Sequence, residues 1–205
     1  MPYKDVLIVA RTRMGGGRVC IGGLSSVGEN LRLMNQGCRS DVAGESPYRI
    51  GEWWKVKCEP CGEQKPPHVE DVAVAERSRI KTESDLGAYL LAHTAPWKGP
   101  IQTLFDEKIR FTNNGGGYIS PDDVPTHATG FWIPDRDLDL ESDARGKTGY
   151  YYDGVRHLSY VGTQDEVAKI KKGQLVRVSL ARWWKPENAD ADFEERCYAQ
   201  LSGWY

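Results

Sequence analysis

The opening residues Tyr3-Lys4-Asp5-Val6-Leu7-Ile8-Val9-Ala10 are apolar, rich in β-branched side chains, and end at Arg11 without running on to helical length. Gly15-Gly16-Gly17 follows as a turn into Arg18-Val19-Cys20-Ile21, and Asn30-Leu31-Arg32-Leu33-Met34 restores a period of two. Strand, turn, strand, turn, strand is a β-meander. Segments 49–57 and 69–75 add two more strands across a loop holding Pro60, Pro66 and Pro67. Five strands in so short a span fit a small Greek-key barrel of the OB type, and they fit a β-sandwich as well.

One helix is expected near 83–93. Thr82 is its expected cap, Asp85 stands three residues on, Leu86, Tyr89, Leu90 and His93 form its inner side, and Pro96 stops it. A linker is read in 94–115, where Pro96, Gly99, Pro100, Asn113, Asn114 and the first of three glycines at 115–117 gather. Beyond it, segments 128–133, 148–152, 156–161, 174–182 and 196–204 are aromatic and β-branched and predict a second set of strands. No repeat period of about 20–50 residues is visible, which argues against a solenoid or propeller.

With 205 residues, 40% hydrophobic and 27% charged, the chain has the make-up of one ordinary domain or two small barrels, and 22 Gly with 11 Pro require many turns. That length excludes a large multidomain enzyme. The longest aliphatic run, Val6 to Ala10, falls far short of the roughly 20 residues that cross a bilayer. Met1-Pro2-Tyr3-Lys4-Asp5 has no feature of a secretory signal, so the cytoplasm is the expected compartment. The net charge of −2 conceals an uneven distribution. Residues 1–57 carry nine Lys or Arg against five Asp or Glu, 58–145 nine against sixteen, and 146–205 nine against eight. A basic N-terminal third ahead of an acidic middle can present one face to phosphates.

Several motifs imitate chemistry without completing it. Gly146-Lys147-Thr148 resembles part of a phosphate loop, but the glycine required five positions upstream is Glu141, and strand-like residues follow. Gly15-Gly16-Gly17 lacks the third glycine of a dinucleotide fingerprint, since position 20 is cysteine. The alternating carboxylates Asp135, Asp137, Asp139, Glu141 and Asp143 miss the calcium-loop pattern at Leu140 and Gly146 and read as a solvated acidic loop. Five cysteines, Cys20, Cys38, Cys58, Cys61 and Cys197, argue against a disulfide framework by their odd number. Cys58-Glu59-Pro60-Cys61-Gly62 has zinc-knuckle spacing, with His68, Cys38, Cys20 or Cys197 as candidates to extend the ligand set. No second C-x-x-C exists, and Pro66-Pro67 interrupts the helix that a redox dithiol needs, so loop thiols without metal are expected.

His68 beside Glu70 and Asp71 suits general acid or base work, but no nucleophile is identifiable near it and no G-x-S-x-G elbow occurs, which favours a turn-ordering role. Arg11, Arg13, Arg18 and Arg32 on the meander, with Trp53 and Trp54 nearby in sequence, have the composition of a single-strand-binding face: cations for phosphates, rings for bases. Consecutive Trp53 and Trp54 point to opposite sides of a strand, one into the core and one half exposed. Trp183-Trp184 falls under the same rule.

Ala10-Arg11, Gly16-Gly17-Arg18-Val19-Cys20-Ile21-Gly22-Gly23, Pro67-His68-Val69-Glu70-Asp71-Val72 and Arg196-Cys197-Tyr198, in that order, resemble the bacterial dual OB-containing domain family over essentially the whole chain. Where that family has Trp-Ile-Arg-Pro after the glycine turn, this chain has Leu31-Arg32-Leu33-Met34, which keeps the arginine and loses the tryptophan and proline. The resemblance implies two tandem OB-like barrels presumed to bind nucleic acid or a nucleotide-like ligand in bacterial conflict or genome-defence settings. By position it draws attention to Arg11, Arg18, Arg32, His68 and Asp71.

The expectation is a mainly β fold of two tandem small OB-like β-barrels, the first over 1–95 with its helix near 83–93, the second over 115–205. It is expected to bind nucleic acid, DNA or RNA, without enzymatic activity, cofactor, metal or membrane span. The expected contacts are Arg11, Arg13, Arg18, Arg32, Trp53, His68 and Asp71. The alternative is an adaptor that docks a protein partner on its aromatic-rich second half.

Overall fold

The apolar run at the start of the chain is covered on both sides, which is why it reads as continuous rather than alternating. Along β1 (Tyr3–Met14), Val6 and Ile8 enter one buried cluster while Leu7 and Val9 enter another. The computed structural model describes residues 2–143, 146–190 and 192–205. β2 (Arg18–Ser25), β3 (Asn30–Met34), a short β4 (Asp41–Val42), β5 (Glu52–Pro60) and β6 (Asp71–Thr82) complete the first half. Pairing runs β1–β2–β3–β6–β5 and returns to β1, antiparallel except for the parallel β3–β6 pair. Five strands thus close into a barrel, which removes free edges, and Val6, Ile8, Ile21, Leu33, Trp54 and Val56 fill it.

The second half comprises β7 (Trp97–Gly99), β8 (Arg110–Phe111), β9 (Gly117–Ile119), β10 (Thr129–Pro134), β11 (Leu138–Ser142), β12 (Thr148–Tyr151), β13 (His157–Tyr160), β14 (Lys169–Ile170), β15 (Val176–Leu180) and β16 (Cys197–Trp204). Its main path is β11–β12–β13–β16–β15–β10, again antiparallel apart from one parallel pair, β13–β16. The path ends on β10 and β11, which only Asp135-Arg136-Asp137 separate in the chain. They act as one bent first strand, and the strand order of the first half recurs. Trp132, Tyr150, Leu158, Val178 and Leu201 lie in its core.

Between the halves lies α1 (Leu86–His93), capped by Asp85, whose side chain accepts from Ala88 N at 2.9 Å. Thr82, the expected cap, is instead paired with Glu52 in the β5–β6 ladder, so its backbone is already committed to strand. Leu90 of the helix joins Leu7, Val9 and Trp53 of the first half and Phe131 and Leu175 of the second in one shared cluster. Trp53 and Trp54 do point to opposite faces, but Trp53 is buried rather than half exposed because this cluster covers it. Residues 94–115 carry β7, a 3-10 turn at Ile101–Thr103 and β8, all packed with the second sheet.

Two readings of the sequence are corrected. Cys38 and Cys61 form a disulfide across the β3–β4 and β5–β6 loops, brought together because β3 and β6 pair side by side. Cys61 is therefore not a knuckle thiol, and Cys58 is buried in the barrel core; among the described residues no cluster suited to a metal occurs. The acidic segment 135–143 is also no plain solvated loop, since it contains β11 and its Asp137 and Asp139 pair with Lys169 and Lys171. Among the described residues no helix is long and apolar enough to cross a membrane.

Candidate functional site

The β5–β6 loop, residues 61–70, leaves the first barrel and docks on the second. His68 Nε2 lies 3.1 Å from Ala181 O and 3.4 Å from Leu180 O, so this nitrogen carries the proton and donates. Burial, followed by the neighbouring Arg32 charge, lowers the His68 pKa below its usual 6.5, which keeps the ring neutral at neutral pH. Glu70 is buried and its Oε1 accepts from Ala128 N at 2.5 Å and Thr129 N at 3.1 Å. The end of β1 adds a short bridge, with Arg13 N donating to Val161 O at 2.8 Å and Thr163 N to Arg11 O at 3.0 Å. Tyr205 Oη donates to Val9 O from the other terminus. Polar staples therefore surround the shared apolar cluster.

A cleft of about 370 Å³ lies in this seam, with the outer face of β2 and β3 on one side and β15 and the residues after it on the other. Because Val19, Ile21, Leu31 and Leu33 turn into the barrel, Cys20, Gly22 and Arg32 must face out into the cleft. Arg32 grips Asp71 with two bonds, Nε to Oδ1 and Nη2 to Oδ2, each 2.5 Å, and Arg182 Nη2 donates to the same Oδ2. Two guanidinium groups thus share one carboxylate. Arg177, on β15, is 4% exposed and lies flat over Gly22, where a Cβ would stand 2.8 Å from its Nη2. Its Nη1 donates to Ser202 Oγ at 3.0 Å, its Nε has no partner, and among the described residues no carboxylate pairs with it.

A larger groove of about 950 Å³ opens on the second barrel. Its floor is β12 and β13, with Thr148, Ser159 and Tyr160, and its walls are the β11–β12 turn with Lys147 and the β15–β16 loop with Trp183 and Trp184. Trp184 is 52% exposed, and its ring lies 6.1 Å from that of Tyr198, tilted by 58°. Arg13 reaches over from the first barrel, 5.5 Å above the Tyr160 ring and 3.8 Å from Glu166. Groove and cleft share Arg13, Ala181, Arg182 and Gln200, so they adjoin along these residues.

A family model described as the dual OB-containing domain matches residues 4–204. The chain belongs to the dual OB-containing domain family. Comparison with curated proteins and with solved structures gives no match. OB barrels in general use the face of their second and third strands, with the loops after strands one and four, as the ligand surface. In this dual OB chain the first barrel's version of that surface is the seam cleft, and the second barrel's version is the open groove.

Of the residues singled out by sequence, the dual OB fold brings Arg32, His68 and Asp71 together at the seam and sets Arg13 where cleft and groove meet. Arg11 and Arg18 donate instead to carbonyls of the loop region around β4, Ala43 O at 3.2 Å and Ser40 O at 2.7 Å. Trp53 is held in the shared cluster, edge-on to Tyr89 at 5.3 Å with Nε1 bonded to Glu83. Arg177, Arg182, Lys147 and Tyr198 were not foreseen. The alternation in 174–180 does set Arg177 on the face opposite Val176 and Val178, but nothing local says that a second barrel waits there.

Proposed function

We propose that this dual OB chain is a non-enzymatic module that binds single-stranded nucleic acid along the groove of its second barrel. The observation that carries the reading is the half-exposed Trp184 beside Tyr198, set on an OB ligand surface and flanked by Arg13, Lys147 and Arg182. Exposed rings stack on bases of any sequence, and cations at their margin take the phosphates. The chemistry at the seam supports binding over catalysis: the His68 Nε2 proton is donated to backbone carbonyls and Asp71 is held by two arginines. A role in bacterial conflict or genome defence rests on the family resemblance alone.

Fluorescence anisotropy with single-stranded DNA and RNA of about 12 nucleotides and matching duplexes, over a salt series, tests the proposal. Trp184→Ala is expected to weaken single-strand binding by roughly 5- to 150-fold, the equivalent of about 1–3 kcal/mol for one lost stack. Arg13→Gln and Lys147→Gln should each reduce the log–log salt slope by about 0.7. Absence of binding at low salt overturns the reading and transfers it to a protein partner on the same aromatic surface, and full affinity in Trp184→Ala overturns the groove as the binding face.

A further inference from the structure

A buried guanidinium without a carboxylate is costly, because an ion taken out of water needs a counter-charge. Arg177 is such a group: 4% exposed, bonded through Nη1 to a neutral hydroxyl, with Nε unpartnered. It belongs to the second barrel yet lies against Gly22 of the first, at the wall of the seam cleft. Around the cleft stand four arginines, Arg13, Arg32, Arg177 and Arg182, against Glu70 and, behind Arg32 and Arg182, Asp71. The Glu70 carboxylate is turned to the amides of Ala128, Thr129 and Val69, and His68 is neutral. With Glu166 3.8 Å from Arg13, three carboxylates stand against the four arginines, and the cleft carries an excess of one positive charge.

We infer that the seam cleft is an anion site that holds the phosphate monoester of a nucleotide, with Arg177, Arg32 and Arg182 as its donors. A monoester carries about 1.5 to 2 negative charges at neutral pH and three strong acceptor oxygens, so three arginine donors hold it better than a chain-internal diester, which carries one charge. The planar fork of arginine suits phosphate oxygens, and a cleft of about 370 Å³ lies within the usual range for small-ligand sites, about 300–1,000 Å³. Two sources can supply that group: a free nucleoside monophosphate, or the phosphorylated end of a strand. The strand end is the preferred source, because the cleft adjoins the groove at Arg13 and Arg182, and this part rests on the function proposed above.

The test uses the full chain with three labelled oligonucleotides of one sequence, bearing a 5′-phosphate, a 3′-phosphate or only hydroxyl ends, together with calorimetric titration of adenosine monophosphate and inorganic phosphate. One phosphorylated end is expected to bind about 10-fold or more tighter than the hydroxyl-ended strand. Arg177→Met should abolish that difference. Gly22→Ala, whose new methyl displaces the Arg177 guanidinium without removing its charge, should shrink it and serves if Arg177→Met does not fold. Equal affinity for all three strands, with no binding of either small anion, overturns the cleft site and leaves the groove reading intact. Small anions that bind while no strand does overturn the groove reading and support the cleft with a free nucleotide as its ligand. A phosphate preference that survives in a folded Arg177→Met, or that is undiminished in Gly22→Ala, overturns the role given to Arg177.

Discussion

Replacing Glu70 with alanine measures how far the seam between the barrels depends on one buried carboxylate. Its Oε1 accepts from Ala128 N at 2.5 Å and Thr129 N at 3.1 Å, and its Oε2 from Val69 N at 3.1 Å. Ala128 is buried, so its amide has no water to turn to once the carboxylate is gone, whereas Thr129 and Val69 are half-buried and can be rehydrated in part. Bonds to charged groups contribute about 1.5–3 kcal/mol each; the Ala128 bond is lost without replacement and the Thr129 and Val69 bonds are replaced only in part by water, so Glu70→Ala should cost about 3–5 kcal/mol. In a chain of this size each kcal/mol moves the midpoint by about 2–4 °C, giving a fall in Tm of roughly 6–20 °C. Glu70→Gln keeps the shape and one acceptor for Ala128 but turns a donor toward Val69 N, so its loss should be smaller, about 1–2 kcal/mol. Thermal unfolding followed by circular dichroism, with urea titration as the second probe, supplies both values. A midpoint for Glu70→Ala within about 2 °C of the parent protein would show that the apolar cluster alone holds the barrels together and that the staple is incidental.

Asp71→Asn removes the carboxylate that Arg32 and Arg182 share; stability is expected to fall by about 3 kcal/mol, at the lower end for a broken buried pair because Arg182 is half exposed, while single-strand affinity at low salt rises and the log–log salt slope steepens by about 0.7. Denaturant unfolding and a salt series on the same preparation read the two opposite signs. The lowered His68 pKa means that the unfolded chain takes up a proton before the folded one, so this contribution is fully present above about pH 6.5 and is lost as pH falls from there toward the lowered folded value. A plot of Tm against pH should drop over that window in the parent protein and less steeply in His68→Gln. Reducing the Cys38–Cys61 bond, which spans 23 residues, should lower stability by about 3 kcal/mol on the chain-entropy account, visible as a lower Tm in reductant that Cys38→Ser reproduces without reductant.

What could be read in the sequence was local. The apolar run of β1, the glycine turn after it and the alternation in β3 and β15 identify strands because side-chain direction repeats every two residues. The pairing of β3 with β6 leaves no such trace, since it sets residues 32–34 against 71–73 across a long stretch of chain. That one parallel contact accounts for two features that no local pattern announced. It brings Arg32 to Asp71 and lets Cys38 reach Cys61, so a cysteine count that argued against a disulfide framework missed this single bond for a topological reason. Trp53 was read correctly as facing away from Trp54, yet its burial depends on α1 and on Phe131, residues that neither its neighbours nor its period announce.

The same topology used twice has different consequences in the two barrels. In the first, the loop after the fourth barrel strand carries His68 and Glu70 into the second barrel, so the outer face of β2 and β3 is roofed by Arg177 and Arg182 and becomes a small cationic cleft. In the second, the equivalent loop carries Trp183 and Trp184 and stands open, so β12 and β13 keep a long groove with an exposed ring. An open aromatic surface suits stacked bases, and a closed arginine-rich one suits a single compact anion. The position of Arg13, on the last residues of β1 but over Tyr160 of the other barrel, places both surfaces along one path. Loosening the seam should therefore impair recognition of a strand end more than recognition of its bases, and Glu70→Ala, tested with phosphorylated and hydroxyl-ended strands, separates the two effects in one protein.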